Sequence, residues 1–407
     1  KQLRNTSTQS FKAFQADESS PASIIFTTGS TGPPKGVQYR HRNFVSQIQQ
    51  LRDKYNISPK EIDLPAFPLF GLFNAAMGVT TVLPDMDFTQ PASVDPEHII
   101  VPIQDWKITQ SFGSPALWET VGKYLDDRQC KLPSLKRVLS AGAPVPPRVL
   151  QRVTDAIPEN ADMFTPYGAT EALPVASISG EEVLSETAAK SEAGHGTCVG
   201  SRFDGIQWKV IQIDDEAIET LEGVTELPSG EIGELIVSGP VVTSHYATDP
   251  DHTTMHKIHG ENGGLWHRMG DVGYLDQQQR FWFCGRKGHR VRLPEKTLFT
   301  IPCEAIVNQH PAVYRSALVS VNLSEDVEAA IIIQPWQDSM PQSPQEESRL
   351  RDELLTHATA HEITADVKHV LVHPDLPVDI RHNSKIFREK LAPWAQSKLR
   401  AEAEGEP

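Results

Sequence analysis

The sequence predicts a multidomain α/β protein, and three observations carry that reading. Short apolar runs alternate with helical-period stretches through the first 200 or so residues. From about Gly200 the pattern changes to short β-like runs separated by Gly, Pro and Asp turns. After Arg286 a second, compact set of alternating strands and helices follows. The expected units are residues 1–199, an α/β unit; 200–286, a β-rich unit with a barrel-like sheet; and 287–407, a small α+β unit. A chain of 407 residues is long enough for several such cores.

In chain order, "SIIF" reads as a strand and "RNFVSQIQQLRDKYN" as a helix, with Phe44, Val45, Ile48 and Leu51 at helical spacing. "FPLFGLFNAAMGVTTVLP" is apolar but broken by Pro, Gly and Asn74. It falls short of the ~20 apolar residues of a membrane span, so a buried helix with flanking loops is expected, with lipid contact left open. "LKRVLSAGAP" reads as a strand, and the paired prolines of "PPRVLQRVTDAI" suit a helix start. "QWKVIQI", "GEIGELIVSG" and "RFWFCGR" read as strands of the second unit. In the third, "SALVSV", "AAIIIQP" and "VKHVLVH" read as strands and "SRLRDELLTHATAH" as a helix. The polar, proline-rich "DSMPQSPQEESR" is expected to be a surface loop and the charged tail "RAEAEGEP" to be frayed.

Composition narrows the function. A formal net charge of −15 argues against a general nucleic-acid or anionic-membrane binder. The four cysteines, Cys130, Cys198, Cys284 and Cys303, are scattered without metal-ligand spacing. Neither a disulfide framework nor a zinc site is expected, and reduced cytoplasmic thiols are the default. The leader "KQLRNTSTQSFKAFQADESSPAS" has no apolar core, so it does not read as a signal peptide.

The most informative stretch is "FTTGSTGPPKGVQYRH", Phe26 to His41. A glycine-rich loop between strand and helix turns backbone N–H groups and hydroxyls toward a phosphate, and a lysine adds charge. It is not a Walker loop, because Pro34 precedes Lys35 and Gly36 follows it. Prolines donate no backbone hydrogen bond, so Thr27, Thr28, Ser30 and Thr31, with Gly29 and Gly32, are the candidate phosphate contacts.

"TTGSTGPPKG" resembles the phosphate loop of the adenylate-forming superfamily of acyl-CoA synthetases, luciferases and peptide-synthetase adenylation domains. Further strings follow in the family's order. "SAGAPVP", with Gly142, Ala143 and Pro144, is similar to the segment lining one face of the adenine. "YGATE" matches the motif whose aromatic residue, Tyr167, stacks on adenine beside Gly168. Its Thr170 and Glu171 then serve the phosphates and Mg²⁺. "MGDVGYLD" places Asp271 at the carboxylate for the ribose hydroxyls, and "GRKGHRV" places Arg286 at a ribose and phosphate contact. "HNSKIFREKL" puts Lys385 at the C-terminal catalytic lysine. The resemblance implies a large N-terminal domain, with its first subdomain expected to be missing before the loop, and a small mobile α+β domain that swivels near Gly288. It implies ATP and Mg²⁺ as cofactors, with Lys385, Glu171, Thr170 and Lys35 catalytic.

Within the superfamily the strings "YRHRNF", "TPYGATEALPVASI", "TIPCEAIVNQHPAVYRSALV" and "DIRHNSKIFREKL" resemble olefin β-lactone synthetases of bacterial long-chain hydrocarbon biosynthesis. That likeness implies activation of a 3-hydroxy fatty acid and closure of its own hydroxyl onto the adenylate. Gly71 stands where many ligases carry a histidine or an aromatic residue, and "RVRLPEKTLFTIPCE" lacks the glycine near the pantetheine channel. Apolar "FPLFGLF" and "SFGSPALW" are candidate acyl-chain walls. His41, His289 and His382 are candidates by chemistry alone for the base. Two alternatives stay open: a fatty acid–CoA or other acyl ligase, and a non-catalytic nucleotide-binding scaffold. Expected partners are thiolase-like, reductase and hydrolase-like pathway enzymes.

Overall fold

The computed structural model describes residues 14–27, 34–323, 326–379 and 385–404. Its largest sheet has seven strands in the order Ser201–Arg202, Ala172–Ser179, Asp162–Ala169, Arg137–Ser140, Gln110–Gly113, Ile62–Pro65 and Thr80–Thr81. The five strands from Thr80–Thr81 through Asp162–Ala169 run parallel, while Ala172–Ser179 returns antiparallel as a hairpin partner of Asp162–Ala169.

A parallel sheet needs both faces covered, and the side chains divide accordingly. Leu64, Ile103, Trp118, Val138, Val153 and Met163 pack on one face against the helices Glu97–Asp105, Pro115–Asp127 and Pro147–Ala156. Tyr55, Phe112, Leu139, Val175 and Phe203 pack on the other, beneath the helix His41–Tyr55. Helix starts follow local chemistry: Ser114 Oγ accepts from the Leu117 N–H at 3.2 Å, with Pro115 next in line.

The second sheet has the order Gln207–Ile211, Gly233–Ser238, Leu265–Leu275, Phe281–Arg286 and Thr197–Cys198, with Lys257–His259 added beside Leu265–Leu275. Among the described residues its end strands do not pair with each other, so the barrel-like sheet expected here is open. The two sheets interleave along the chain, since Thr197–Cys198 belongs to the second and Ser201–Arg202 to the first.

The last sheet pairs Val313–Asn322 antiparallel, and Val367–Val372 parallel, with the central Val327–Pro335. The run "AAIII" is apolar throughout because it is covered on both faces. Ile331 and Ile333 enter one cluster, and Ala330 and Ile332 another.

Three local expectations change. "PQEESR" is not loop but the first turns of the helix Pro344–Thr359, capped by Ser343 Oγ at 3.2 Å from the Glu346 N–H. Tail residues Arg400 to Glu404 continue the helix Arg388–Glu404, and the remainder lies outside the described residues. The helix Gly71–Met77 buries Asn74 and Met77, but Phe67, Leu69 and Leu72 are exposed, so the apolar stretch is buried on one side only. Among the described residues no helix is long and apolar enough to cross a membrane. All four cysteines are free, and burial pushes the thiols of Cys198, Cys284 and Cys303 up to about 12, which makes them inert filling.

Candidate active site

The candidate phosphate loop connects the two strands of a hairpin, Pro21–Phe26 with Gly36–Arg40. Its neck is closed by the Thr27 N–H donating to the Lys35 carbonyl at 2.9 Å and by Thr27 Oγ1 accepting from the Lys35 N–H at 3.3 Å. Thr28, Gly29, Ser30, Thr31 and Gly32 lie outside the described residues. The neck is docked on the segment 245–248: the Gly36 N–H donates to Thr248 Oγ1 at 2.8 Å, and Val37 bridges Tyr246.

Thr170 and Glu171 sit at the turn between Asp162–Ala169 and Ala172–Ser179. The buried Tyr39 hydroxyl donates to the Thr170 carbonyl at 2.6 Å, and Thr243 N–H donates to the Glu171 carbonyl at 2.9 Å. The Tyr246 hydroxyl donates to Glu171 Oε1 at 2.6 Å. This fixes the carboxylate, and burial followed by the Glu171 charge pushes the Tyr246 phenol far up, so it stays a donor. Gly168 is required by space: a Cβ there would lie 2.7 Å from the Ala172 carbonyl oxygen.

Tyr167, Asp271 and Arg286 meet directly. The Tyr167 hydroxyl donates to Asp271 Oδ2, and Arg286 Nη1 donates to Asp271 Oδ1 at 2.7 Å. Burial raises the Asp271 carboxyl, and Arg286 opposes it. Register explains the approach, because Asp271 and Arg286 are cross-strand partners.

Lys385 is half-buried, and its carbonyl accepts from the Asp379 N–H at 2.9 Å. Burial and then the Arg286 guanidinium pull its ammonium below the usual lysine range, while Asp379 opposes them. The late lysine therefore lies in the electrostatic reach of the Asp271–Arg286 pair. Gly142, Ala143 and Pro144 form the loop after Arg137–Ser140, and Gly142 takes φ 98°. Gly288 has open space about it and no left-handed φ, so that site does not itself require glycine.

Of the candidate bases, His41 is exposed at the start of its helix and His382 lies outside the described residues. Burial, then Arg388 and Arg286, holds His289 down at about 4, a weak base.

Sequence reading missed several groups here. Tyr39 and Tyr246 hold the Thr170–Glu171 turn, and Lys257 is buried with no hydrogen-bond partner for Nζ among the described residues. Burial pulls the Lys257 ammonium down to about 7 and the nearby Glu171 charge opposes it. Lys257 pairs across the strands with His267, and the tilted rings of His252 and His256 lie 4.1 Å apart next to them. Burial holds His256 at about 3 and His267 well down, so these rings are neutral. The signal was the histidine density of "SHYATDPDHTTMHKIHGENGGLWH".

Beneath the turn lies a cavity of about 60 Å³, lined in part by Gln47, Asp63, Phe70, Phe73, Phe112 and Pro174. Of the expected acyl walls, Phe70, Phe73 and Phe112 face it, whereas Leu117 and Trp118 are fully buried in the opposite core.

A family described as AMP-binding enzyme matches residues 2–247. The chain is 45% identical over 386 residues to an olefin beta-lactone synthetase of Stenotrophomonas maltophilia, covering 94% of this chain and 68% of that protein. It is 44% identical over 378 residues to a protein of the same description from Xanthomonas campestris pv. campestris, covering 92% of this chain and 66% of that one. The chain thus spans about two thirds of the length of these relatives. O-succinylbenzoate coenzyme A synthetase from Bacillus subtilis, in complex with ATP and magnesium ion, shares the fold: TM-score 0.73, 19% identity, 96% of this chain and 74% of that one.

Proposed function

The chain belongs to the AMP-binding enzyme family, and from that premise we propose that it is an ATP-dependent ligase that converts a 3-hydroxy fatty acid into a β-lactone. The observation that carries the reading is the direct meeting of Tyr167, Asp271 and Arg286, with Lys385 within electrostatic reach of Arg286. The Asp271 carboxylate is held between the Tyr167 hydroxyl and Arg286, an arrangement that supports its reading as the ribose ligand beside a ring for adenine and a cation for phosphate. The choice of lactone over thioester is supported by the likeness to the two relatives of that description.

In the first step a carboxylate oxygen of the acid attacks the α-phosphorus of ATP. The bond from that phosphorus to the bridging oxygen breaks, and pyrophosphate leaves. Both reactants are anions, so positioning and charge neutralisation dominate the barrier. Lys35 and Lys385 supply fixed positive charge, and Thr27 and Thr170 supply hydroxyl donors. Tyr167 carries adenine on its ring, and Asp271, held by Arg286, takes the ribose hydroxyls. Among the described residues no three metal-ligating side chains converge. The single anchored carboxylate of Glu171 fits Mg²⁺, which uses one or two carboxylates plus substrate phosphates. When bound there, the ion would offset phosphate charge.

In the second step the substrate's hydroxyl oxygen attacks its own acyl carbon. The hydroxyl proton is lost, the carbon–oxygen bond to the phosphate breaks, and AMP leaves with one former carboxylate oxygen. The nucleophile is tethered, which favours closure, and the mixed anhydride offsets ring strain. Between the steps the unit after residue 286 would rotate and withdraw Lys385. We place the enzyme in the cytoplasm, where ATP is available and its four thiols stay reduced. The pathway partners expected are thiolase-like, reductase and hydrolase-like enzymes, and co-purification from native extract tests their association.

The deciding experiment supplies ATP and a 3-hydroxy acid without coenzyme A. Lactone, AMP and pyrophosphate are expected in equal amounts. Adenylate alone would indicate a ligase awaiting another acceptor, and no acid-dependent pyrophosphate exchange would indicate a scaffold.

A further inference from the structure

Two side chains that line the cavity carry an acceptor that nothing satisfies. Gln47 and Asp63 are each 2% exposed, and Gln47 Oε1 and Asp63 Oδ1 have no hydrogen-bond partner among the described residues. A buried acceptor without a donor costs free energy that an incoming donor recovers. Asn74 and Gln110 join Asp63 in the lining and the remainder is aromatic or aliphatic, so the occupant that fits is a short, mostly apolar segment bearing a hydrogen-bond donor.

The orientation of Gln47 is fixed. Its Nε2 donates to the Leu173 carbonyl at 2.9 Å, an acceptor that the amide oxygen cannot replace. The orphan is therefore the oxygen.

The sheet register separates the two acceptors. Asp63 pairs with Gln110, Gln110 with Arg137, and Arg137 with Asp162, one row at the far end of the strands. Pro166, which also lines the cavity, is four residues further along, roughly 13 Å at the usual strand rise. Leu173 lies beyond it, beside the Ala169–Ala172 pair and the Thr170–Glu171 turn. Gln47 thus stands at the nucleotide end and Asp63 at the floor. Asp63 also belongs to a polar group of its own, with Asn74 Nδ2 donating to its Oδ2 at 2.8 Å. The oxygen of a hydroxyl on the third carbon of an acid is three bonds from the reacting carboxyl carbon, so it belongs at the nucleotide end.

We propose that Gln47 is a positioning residue whose Oε1 accepts the hydrogen bond of the substrate's 3-hydroxyl, selecting hydroxy acids over plain fatty acids and orienting the oxygen for ring closure. The inference rests on the reading of the site as an adenylating centre for a 3-hydroxy acid. It adds a specificity element from the helix His41–Tyr55, outside the nucleotide motifs. Gln50, on the same helix, supplies a control: its Oε1 is also unpartnered and its Nε2 donates to the Asp204 carbonyl at 2.9 Å, but it does not line the cavity.

The test measures kcat/KM of acid-dependent pyrophosphate exchange for a 3-hydroxy acid and for the same acid lacking the hydroxyl. The protein is compared with Gln47→Met, Gln47→Glu and Gln50→Met. The unaltered protein should prefer the hydroxy acid by about tenfold or more, the scale of one buried hydrogen bond. Gln47→Met should lose that preference by weakening the hydroxy acid alone. Gln50→Met should keep the preference, and Gln47→Glu, which keeps an acceptor but loses the donor to the Leu173 carbonyl, should keep the preference at a lower rate on both acids. A merely structural role for Gln47 would lower both substrates together. An unchanged preference in Gln47→Met, no preference in the unaltered protein, or exchange with neither acid would overturn the assignment. Exchange with intact preference but without lactone would instead overturn the ring-closing reaction and leave the role of Gln47 standing.

Discussion

Replacing Tyr246 by phenylalanine removes one oxygen and tests how the anchored Glu171 carboxylate contributes. The hydroxyl is 2.6 Å from Glu171 Oε1, and the residue is 3% exposed. The ring packs at 4.7 Å from His252, and the backbone N–H donates to Thr253 Oγ1 at 3.0 Å, contacts that phenylalanine retains. The fold should therefore persist, while the carboxylate loses a charge-assisted hydrogen bond worth about 1.5–3 kcal/mol. Because that bond holds the carboxylate, kcat/KM for ATP should fall by roughly 10- to 100-fold. The assay is acid-dependent pyrophosphate exchange across a range of Mg²⁺, alongside a thermal unfolding curve to show that the variant is folded. A folded Tyr246→Phe protein whose kcat/KM stays within about twofold would refute the reasoning.

Gly168→Ala should weaken nucleotide binding without unfolding the protein, because the new Cβ would press on the Ala172 carbonyl at 2.7 Å and shift the turn; a nucleotide titration checks it. Lys257→Met removes a buried ammonium with no partner among the described residues, so the unfolding midpoint should rise in denaturant even if turnover falls. Glu186 is drawn down to about 2 by hydrogen bonds from Arg280 and Lys190. A carboxyl whose folded pKa is depressed adds stability that is present above its unfolded value and lost as pH falls toward the folded one. Glu186→Gln should therefore cost stability near neutral pH and little at or below about pH 2, read from denaturant midpoints at both.

Much of the fold was legible because periodicity and burial coincide. The stripe of Ile48 and Leu51 did mark a helix, and "AAIII" did mark a strand covered on both faces. "PQEESR" misled because a proline-rich polar run reads as loop, although proline is welcome in a first helical turn behind a serine cap. The short helix after Pro68 looked buried because its sequence is apolar on every side, whereas a single packed face already satisfies it. At the site, Tyr167 and Asp271 stand 104 residues apart, and only their motifs signalled that they meet. Tyr246, Lys257 and Gln47 belong to no motif; their roles arise from strand pairing and from which atom is left without a partner. Tertiary geometry alone supplies that information.

The central claim is that a carboxylate oxygen becomes bonded to the α-phosphorus of ATP before the ring closes. Turnover of a 3-hydroxy acid labelled with ¹⁸O in its carboxyl group, followed by mass spectrometry of the products, tests this most directly. The account predicts one labelled oxygen in AMP and none in pyrophosphate. Unlabelled AMP, or label in pyrophosphate or inorganic phosphate, would contradict it.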